Sequence, residues 1–195
     1  MPLRVPIWHH FDLYRYWVDK RSSRTMPARS DLNPADIPAL LPHLMIVDKV
    51  DGQCRWRLVG TAAVREVGRE PTGTFVGSHI STAPETVAAV RATYERVFTT
   101  AHAIFSTGEL EVKSGANQIS LLLLPLSDDG ANVNMAVTTL VTCFNFGVTA
   151  GTGWLKGARV RVRDIVDVDN AVDLEDRCLD WERYCDDQRR RAAAI

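Results

Sequence analysis

Apolar residues recur at helical spacing near the N-terminus of the chain. Between residues 9 and 22, Phe11, Tyr14, Trp17 and Val18 fall on one side of a helix, and charged residues occupy the other side. An aromatic stripe of this kind has to be covered, either by the helix's own domain or by a second copy of the chain. The same periodicity predicts further helices over residues 34–41, 62–67, 81–100 and 170–192.

Apolar runs bounded by turn residues predict the strands. Residues 44–50 and 55–59 flank Asp51-Gly52, a pair typical of tight hairpin turns, and should form two antiparallel strands. The run from Ile119 to Leu126 is apolar on both faces, which predicts a central strand covered on both sides. Three strands joined by short turns are predicted at residues 103–113, 117–126 and 132–146.

Two strands before the long helix and three after it predict a single antiparallel sheet in an α+β domain. Strict alternation along the second strand places Trp56 and Leu58 on one face and Arg57 and Val59 on the other. Residues 159–163 alternate arginine with valine, which indicates either a basic strip or a solvated edge strand. Acidic residues at 164, 167 and 169 favour the edge strand.

Composition excludes several classes of protein. Across 195 residues, 23 Lys and Arg balance 24 Asp and Glu, so the net charge of −1 gives no electrostatic basis for binding nucleic acid or an anionic membrane. No apolar run approaches the length of a membrane-spanning helix, and the N-terminal sequence does not have the pattern of a secretory signal. The four cysteines stand apart in the sequence, as expected of buried thiols in a reducing, cytoplasmic setting.

Signatures of catalysis or metal binding are missing from the sequence. It contains no GxSxG, HExxH or Walker pattern, and its cysteines and histidines lack the spacing of a zinc site. His9 and His10 are adjacent, so on a helix they point about 100° apart and cannot ligate one metal well. The remaining histidines stand alone and are better explained as hydrogen-bonded structural groups.

Several short blocks follow one another along the first three-quarters of the chain. They are Tyr16-Trp17 with Lys20-Arg21, Met26 to Pro34, Leu40 to Leu44, Ile46 to Asp48, Arg55 to Thr61, Gly68 and Thr72-Gly73. Each block is weak alone, but their order along the chain is specific, and together they resemble a PAS domain. The resemblance extends from the first helix to about residue 146, and is strongest to the single-domain bacterial PAS group that begins with an aromatic helix.

The resemblance implies a fold and a function. It implies an α+β, PAS-like five-stranded antiparallel sheet with helices on one face, plus N-terminal and C-terminal helical extensions. The corresponding division is an N-terminal extension (1–22), a PAS-like domain (23–146) and a C-terminal extension (147–195). Such a protein would be a cytoplasmic sensory or signalling module without catalytic activity. It would bind a small molecule, a separate protein partner that carries the output, or both, and would form a homodimer through residues 9–22.

The cofactor stays unidentified. The adduct-forming cysteine block of flavin-binding PAS domains is absent from this chain. Haem-binding PAS domains carry a histidine in the helical segment, and His79 and His102 lie near its two ends here, so the resemblance leaves haem open without supporting it.

The resemblance places a ligand between the sheet and the helices of residues 62–100. An arginine buried there would need a carboxylate, such as Asp48, or an anionic ligand. Plain core packing is the competing explanation for each candidate, and a shift of one residue in register would invert the faces. The candidate ligand-binding residues are Trp56, Arg57, His79, Tyr94, Phe98 and Phe105, with Leu58, Val76, Leu121 and Val137 as further lining positions.

Two other functions stay open. One is a small enzyme with an α+β cavity, thioesterase-like or isomerase-like, which would need a carboxylate or histidine such as Asp48 or His79 inside the cavity. The other is an interaction protein whose cavity is filled by its own side chains.

Overall fold

The computed structural model describes residues 7–67, 70–78, 84–112, 115–129, 131–143, 159–168 and 170–193. Helices and strands follow the predicted order, with one strand more than the resemblance implies. Their bounds are α1 (Trp8–Arg21), β1 (Leu44–Val50), β2 (Gln53–Val59), α2 (Thr61–Val67), α3 (Pro84–Thr100), β3 (Ala103–Val112), β4 (Gly115–Leu126), β5 (Met135–Cys143), β6 (Arg159–Val168) and α4 (Ala171–Ala193).

The predicted helix over 34–41 is wrong as a continuous helix. Its start is as expected, because the side chain of Asn33 accepts a hydrogen bond from the backbone of Ala35 at 3.1 Å. The helix stops at Asp36, since Ile37 precedes Pro38 and leaves the helical conformation at φ −132°. Two short 3₁₀ turns, Pro34–Asp36 and Leu41–His43, replace it.

Six strands form one antiparallel sheet in the order β2-β1-β5-β4-β3-β6. The five predicted strands occupy the first five positions, and the predicted central strand, β4, lies between β5 and β3 as expected. The sixth strand, β6, pairs with β3 and forms an edge of the sheet, so the expectation of five strands was short by one. Arg161 and Arg163 of β6 are exposed, which confirms a solvated edge strand at residues 159–163.

Helices cover both faces of the sheet: α2 and α3 lie on one face, as expected, and the N-terminal and C-terminal helices α1 and α4 cover the other. The inner face, which includes Met45 and Leu123, packs against α3. The outer face, which includes Phe105 and Leu122, packs against α1 and α4. The reason is visible in β4, where Leu122, Leu123 and Leu124 are all fully buried and both faces therefore need a cover.

Helix α1 docks on its own domain. Leu13, Tyr14 and Trp17 are buried in the core of the outer face, and the indole Nε1 of Trp17 donates a hydrogen bond to the backbone oxygen of Pro125 at 2.8 Å. Of the two explanations for the aromatic stripe, cover by the chain itself is the one that the structure shows. The stripe is therefore not a free surface for a second copy, and a homodimer contact through residues 9–22 would have to use the opposite side of the helix.

A buried histidine joins α1 to the centre of the sheet. His10 is fully buried, with Nδ1 2.7 Å from the Thr139 hydroxyl and Nε2 3.0 Å from the Ser120 hydroxyl. Burial lowers the pKa of His10 to about 3, so the ring is neutral. Next to it, His9 stacks on His43 with ring centroids 3.9 Å apart, and burial together with His43 lowers the pKa of His9 to about 4.

The free energy of unfolding is expected to fall as the pH drops below 6.5. Both His9 and His10 have folded-state pKa values below the ordinary value of 6.5. Below that pH the unfolded chain binds protons that the folded chain excludes, which costs up to about 1.4 kcal/mol per pH unit for each histidine. The loss runs from pH 6.5 to about pH 4 for His9 and to about pH 3 for His10.

Urea unfolding at about pH 7.5, 6.5, 5.5 and 4.5 measures how steeply the free energy of unfolding falls with pH. Burial also lowers the pKa of His43, which contributes to the slope in the same direction. His10→Gln, which stays neutral, should remove the part of the slope that comes from His10. His102→Gln is the control, because that side chain is 59% exposed and the slope should persist without it. A slope that is unaffected by His10→Gln would contradict the assignment.

No helix among the described residues is both long and apolar enough to cross a membrane.

Candidate functional site

A β-bulge in β2 decides which side chains of this strand point to the helices. Ile46 of β1 pairs with Leu58, but Val47 pairs with Trp56, so Arg57 is an extra residue with no partner in the register. As a result Trp56 and Val59 both face inward, and Leu58 is 42% exposed. The prediction that Trp56 and Leu58 share a face is therefore wrong, because the bulge inverts the alternation after Trp56.

A second bulge lies in β6. Thr107 of β3 pairs with Asp164 and Gly108 pairs with Val162, which leaves Arg163 as the extra residue. Val162 faces inward before the bulge. Arg163 stacks on the ring of Tyr184 in α4, with its guanidinium carbon 3.6 Å from the ring centroid.

The inner face of the sheet and α3 enclose a cavity of about 110 Å³. Its walls are almost entirely apolar, and they come from β1 to β6, from α3 and from the segment that follows α2. The lining residues are Met45, Trp56, Val59, Pro71, Gly77, Val90, Thr93, Tyr94, Ser106, Thr107, Gly108, Leu110, Ile119, Leu121, Leu140, Val160 and Val162.

Two aromatic residues form one wall of the cavity. Trp56 and Tyr94 meet edge to face, with ring centroids 5.3 Å apart and an interplanar angle of 79°. This is the arrangement that the ring quadrupoles favour. Burial raises the pKa of Tyr94, so its hydroxyl keeps its proton.

Three threonine and serine residues along the cavity carry a hydroxyl group, and they differ in their hydrogen-bond partners. Thr93 donates to the carbonyl oxygen of Ala89 at 3.0 Å, one turn earlier in α3. Ser106 donates to the carbonyl oxygen of Asp164 at 3.0 Å. The hydroxyl oxygen of Thr107 is buried and has no hydrogen-bond partner among the described residues. Thr107 pairs with Ser120, whose hydroxyl meets His10 on the outer face, so the register turns the Thr107 side chain away from the cavity.

Among the described lining residues there is no carboxylate, histidine, cysteine, lysine or arginine. Asp48, a candidate for a cavity carboxylate, lies elsewhere, with Arg55 at 2.7 Å and Arg57 at 3.4 Å. Hydrogen bonding to Arg55, the larger effect, and to Arg57 lowers the pKa of Asp48. The described residues also contain no group of three or more potential ligands that could hold a metal ion.

The structure brings only part of the predicted ligand set to the cavity. Trp56 and Tyr94 line it, as does Leu121, whereas His79 lies outside the described residues. Phe98 is half-buried in the core of the inner face but outside the lining set, with the Lys49 Nζ 5.6 Å from its ring centroid.

Three candidates are corrected outright. Phe105 belongs to the core of the outer face, because the register of β3 points Ile104 and Ser106 inward instead. Val137, a further lining candidate, lies in the same outer core. Arg57 is not buried, since its side chain is 57% exposed at the bulge.

Sequence reasoning missed Val160 and Val162 as lining residues of the cavity. The valines left a signal, because their alternation with arginines indicates a strand with one apolar face. That β6 would join the sheet beside β3 and close the cavity was not visible, since its pairing partner lies about 50 residues earlier in the chain.

The comparisons with known proteins agree with this architecture. The sequence profile of the PAS domain matches residues 9–141, about two-thirds of the chain, and includes α1 and β1 to β4 with most of β5. The search of curated proteins returned no match. A profile match over this much of the chain, together with the sheet order found here, shows that the protein belongs to the PAS domain family.

Proposed function

We propose that the protein is a cytoplasmic sensory module that binds a small molecule in the cavity between the sheet and α3, without catalysing a reaction. The observation that carries this proposal is the cavity of about 110 Å³ with apolar walls in a chain of the PAS domain family. A void of this size exceeds the roughly 15 Å³ that one water needs. This favours a ligand over a core filled by its own side chains.

The path from the cavity to a partner is proposed to run through residues 147–195, the C-terminal extension. Val160 and Val162 of β6 form part of the cavity wall, and β6 contacts α4 through Arg163 and Tyr184. A ligand that displaces this wall would shift β6 relative to α4. The exposed side of α4 is then the surface that a separate protein partner would bind.

A homodimer is part of the proposal as well. Because the aromatic stripe of α1 is buried, the contact would use the other side of the helix, where Trp8 is 45% exposed and Asp12, Arg15 and Asp19 are exposed. A native mass at twice the chain mass of 21.7 kDa is the expected result.

Native mass spectrometry of the protein as isolated tests the ligand. We expect extra mass that denaturation releases, and we expect Leu140→Trp to abolish it. Leu140 lines the cavity on a central strand, so the larger side chain fills the space at a cost of about 1–3 kcal/mol.

Leu58→Trp is the matched control, because the same substitution at an exposed position of β2 leaves the cavity unchanged. Equal retention of the extra mass by both variants would place the ligand outside the cavity. No extra mass in the unchanged protein, combined with no binding of any added small molecule, would reject the ligand-binding function.

A further inference from the structure

The volume of the cavity limits its occupant to about one six-membered ring. An apolar cavity of roughly 150 Å³ in another protein takes up benzene. The cavity here, at about 110 Å³, is slightly smaller. One of its walls is the edge-to-face pair of Trp56 and Tyr94. A planar ring packs against such side chains without the loss of conformational freedom that a flexible chain suffers on binding.

The wall of the cavity offers a ligand almost no polar surface. The hydroxyl of Thr93 donates to the carbonyl oxygen of Ala89, and the hydroxyl of Ser106 donates to the carbonyl oxygen of Asp164. Both protons are therefore engaged within the chain, and the side chain of Thr107 points to the outer face. A hydroxyl group on a ligand would leave its hydrogen bonds with water for a surface that replaces almost none of them.

The charges around the cavity exclude an ionic ligand for a related reason. A charged group buried without a partner is very costly, and no described lining residue carries a charge. Arg91 lies beside Gly77 of the wall, but its Nε donates to the carbonyl oxygen of Val76 at 3.2 Å. A carboxylate in the cavity would find no cation among the described lining residues.

We infer that the cavity binds an uncharged, apolar molecule with a single six-membered ring, such as an aromatic hydrocarbon, and selects it against the same ring with a hydroxyl or carboxylate group. This inference rests on the proposed ligand-binding function and names the chemical class of the ligand. The selection comes from desolvation, because a polar substituent loses water without gaining a partner in the wall.

Isothermal titration of the full chain with toluene, phenol, benzoate and naphthalene tests the inference. The unchanged protein should bind toluene about fivefold or more tightly than phenol, because the two rings are similar in size and only phenol buries a hydroxyl. Benzoate, which carries a charge, and naphthalene, which has a second ring, should each bind about tenfold or more weakly than toluene.

Val162→Thr should reduce this selection, because it adds a hydroxyl to the wall with little change of shape. Val162 lines the cavity and pairs with Gly108, which has no side chain to cover it. We expect the ratio of toluene to phenol affinity to fall about fivefold. Val166→Thr is the matched control, since Val166 lies on the same strand but pairs with Phe105 and packs on the outer face. Equal ratios in the two variants would place the probes outside the cavity and contradict the inference.

Tyr94→Phe tests whether the tyrosine hydroxyl contributes to recognition. The substitution keeps the ring that packs against Trp56 and removes the hydroxyl group. It should leave the ratio of toluene to phenol affinity unchanged, because the inference assigns the ring and not the hydroxyl to the ligand. Melting temperatures establish that this variant and both valine variants are folded.

Three further results would overturn the inference. They are binding of phenol, benzoate or naphthalene as tightly as toluene, a loss of phenol affinity alone in Tyr94→Phe, and a retained native ligand that is charged or has more than one ring. Each of them would leave the proposed ligand-binding function standing. Binding of none of the four probes, together with no retained mass in the protein as isolated, would reject both.

Discussion

Gly60→Ala is expected to cost the protein about 3 kcal/mol or more of its free energy of unfolding. A Cβ at this position would lie 2.4 Å from the backbone oxygen of Pro42 and 2.5 Å from that of Leu41. Both contacts are with backbone, so no rotamer change relieves them. The backbone would have to move apart, although the Gly60 N–H donates to the Leu44 carbonyl at 2.7 Å and holds the two segments together.

The clash would also reach α2 and the cavity wall. The Gly60 carbonyl accepts a hydrogen bond from the Val64 N–H at 2.9 Å, and Val59 precedes it in the lining of the cavity. A shift at Gly60 therefore disturbs the start of the helix and the position of Val59. We expect Gly60→Ala to lose retained ligand together with stability.

Gly52→Ala separates this packing effect from a purely conformational one. Gly52 sits in the β1–β2 turn at φ +76°, and a Cβ there would meet no atom within 4 Å. Its cost should be only the roughly 1–2 kcal/mol of a left-handed conformation. Urea midpoints followed by circular dichroism compare the two variants. Equal urea midpoints for Gly60→Ala and Gly52→Ala would contradict the close approach of Gly60 to the backbone oxygens of Leu41 and Pro42.

Trp181→Ala is expected to cost about 3–5 kcal/mol, as is typical for removal of a large buried aromatic side chain. Trp181 is 2% exposed and packs in the core of the outer face with Cys178 and Cys185 of the same helix. Residues of α4 lie outside the part of the chain that the PAS domain profile matches. A large effect would show that the C-terminal helix folds as one unit with the sheet.

Substitution by phenylalanine distinguishes the two buried tryptophans of the outer face. Trp17→Phe loses a hydrogen bond and leaves the Pro125 carbonyl without it, whereas Trp181 Nε1 is buried with no partner among the described residues. Trp17→Phe should therefore cost about 1–2 kcal/mol more than Trp181→Phe.

Urea unfolding by far-ultraviolet circular dichroism measures all of these variants, because indole fluorescence would change with the substitutions themselves. A single transition that shifts in Trp181→Ala supports one cooperative unit. An unchanged midpoint, with part of the helical signal lost separately, would show instead that α4 is an independent segment.

The wrong predictions at the cavity concern the face of the strand on which a side chain lies, not the positions of the strands and helices themselves. The apolar spacing of Trp56 and Tyr94 predicted their place in the wall, because Tyr94 lies on the stripe of a long helix and Trp56 lies before the bulge. Leu58 lies after the bulge and was assigned to the wrong side for that reason. Phe105 was misassigned for another reason, since two neighbouring apolar residues of β3, Ile104 and Phe105, offered either face and only pairing with β4 decided between them.

The sequence by itself determined where the strands and the four α-helices lie, that β4 is central, and that the chain is a PAS domain, because periodicity and short motifs are local properties. It did not determine that the segment 34–41 breaks into two short 3₁₀ turns. Tertiary structure decided which side chains meet. The bulges at Arg57 and Arg163 invert the alternation of their strands, β6 reaches back to β3 to close the cavity, and α1 and α4 cover the outer face. These features depend on the register between segments far apart in the chain, where one inserted residue exchanges the two faces of a strand.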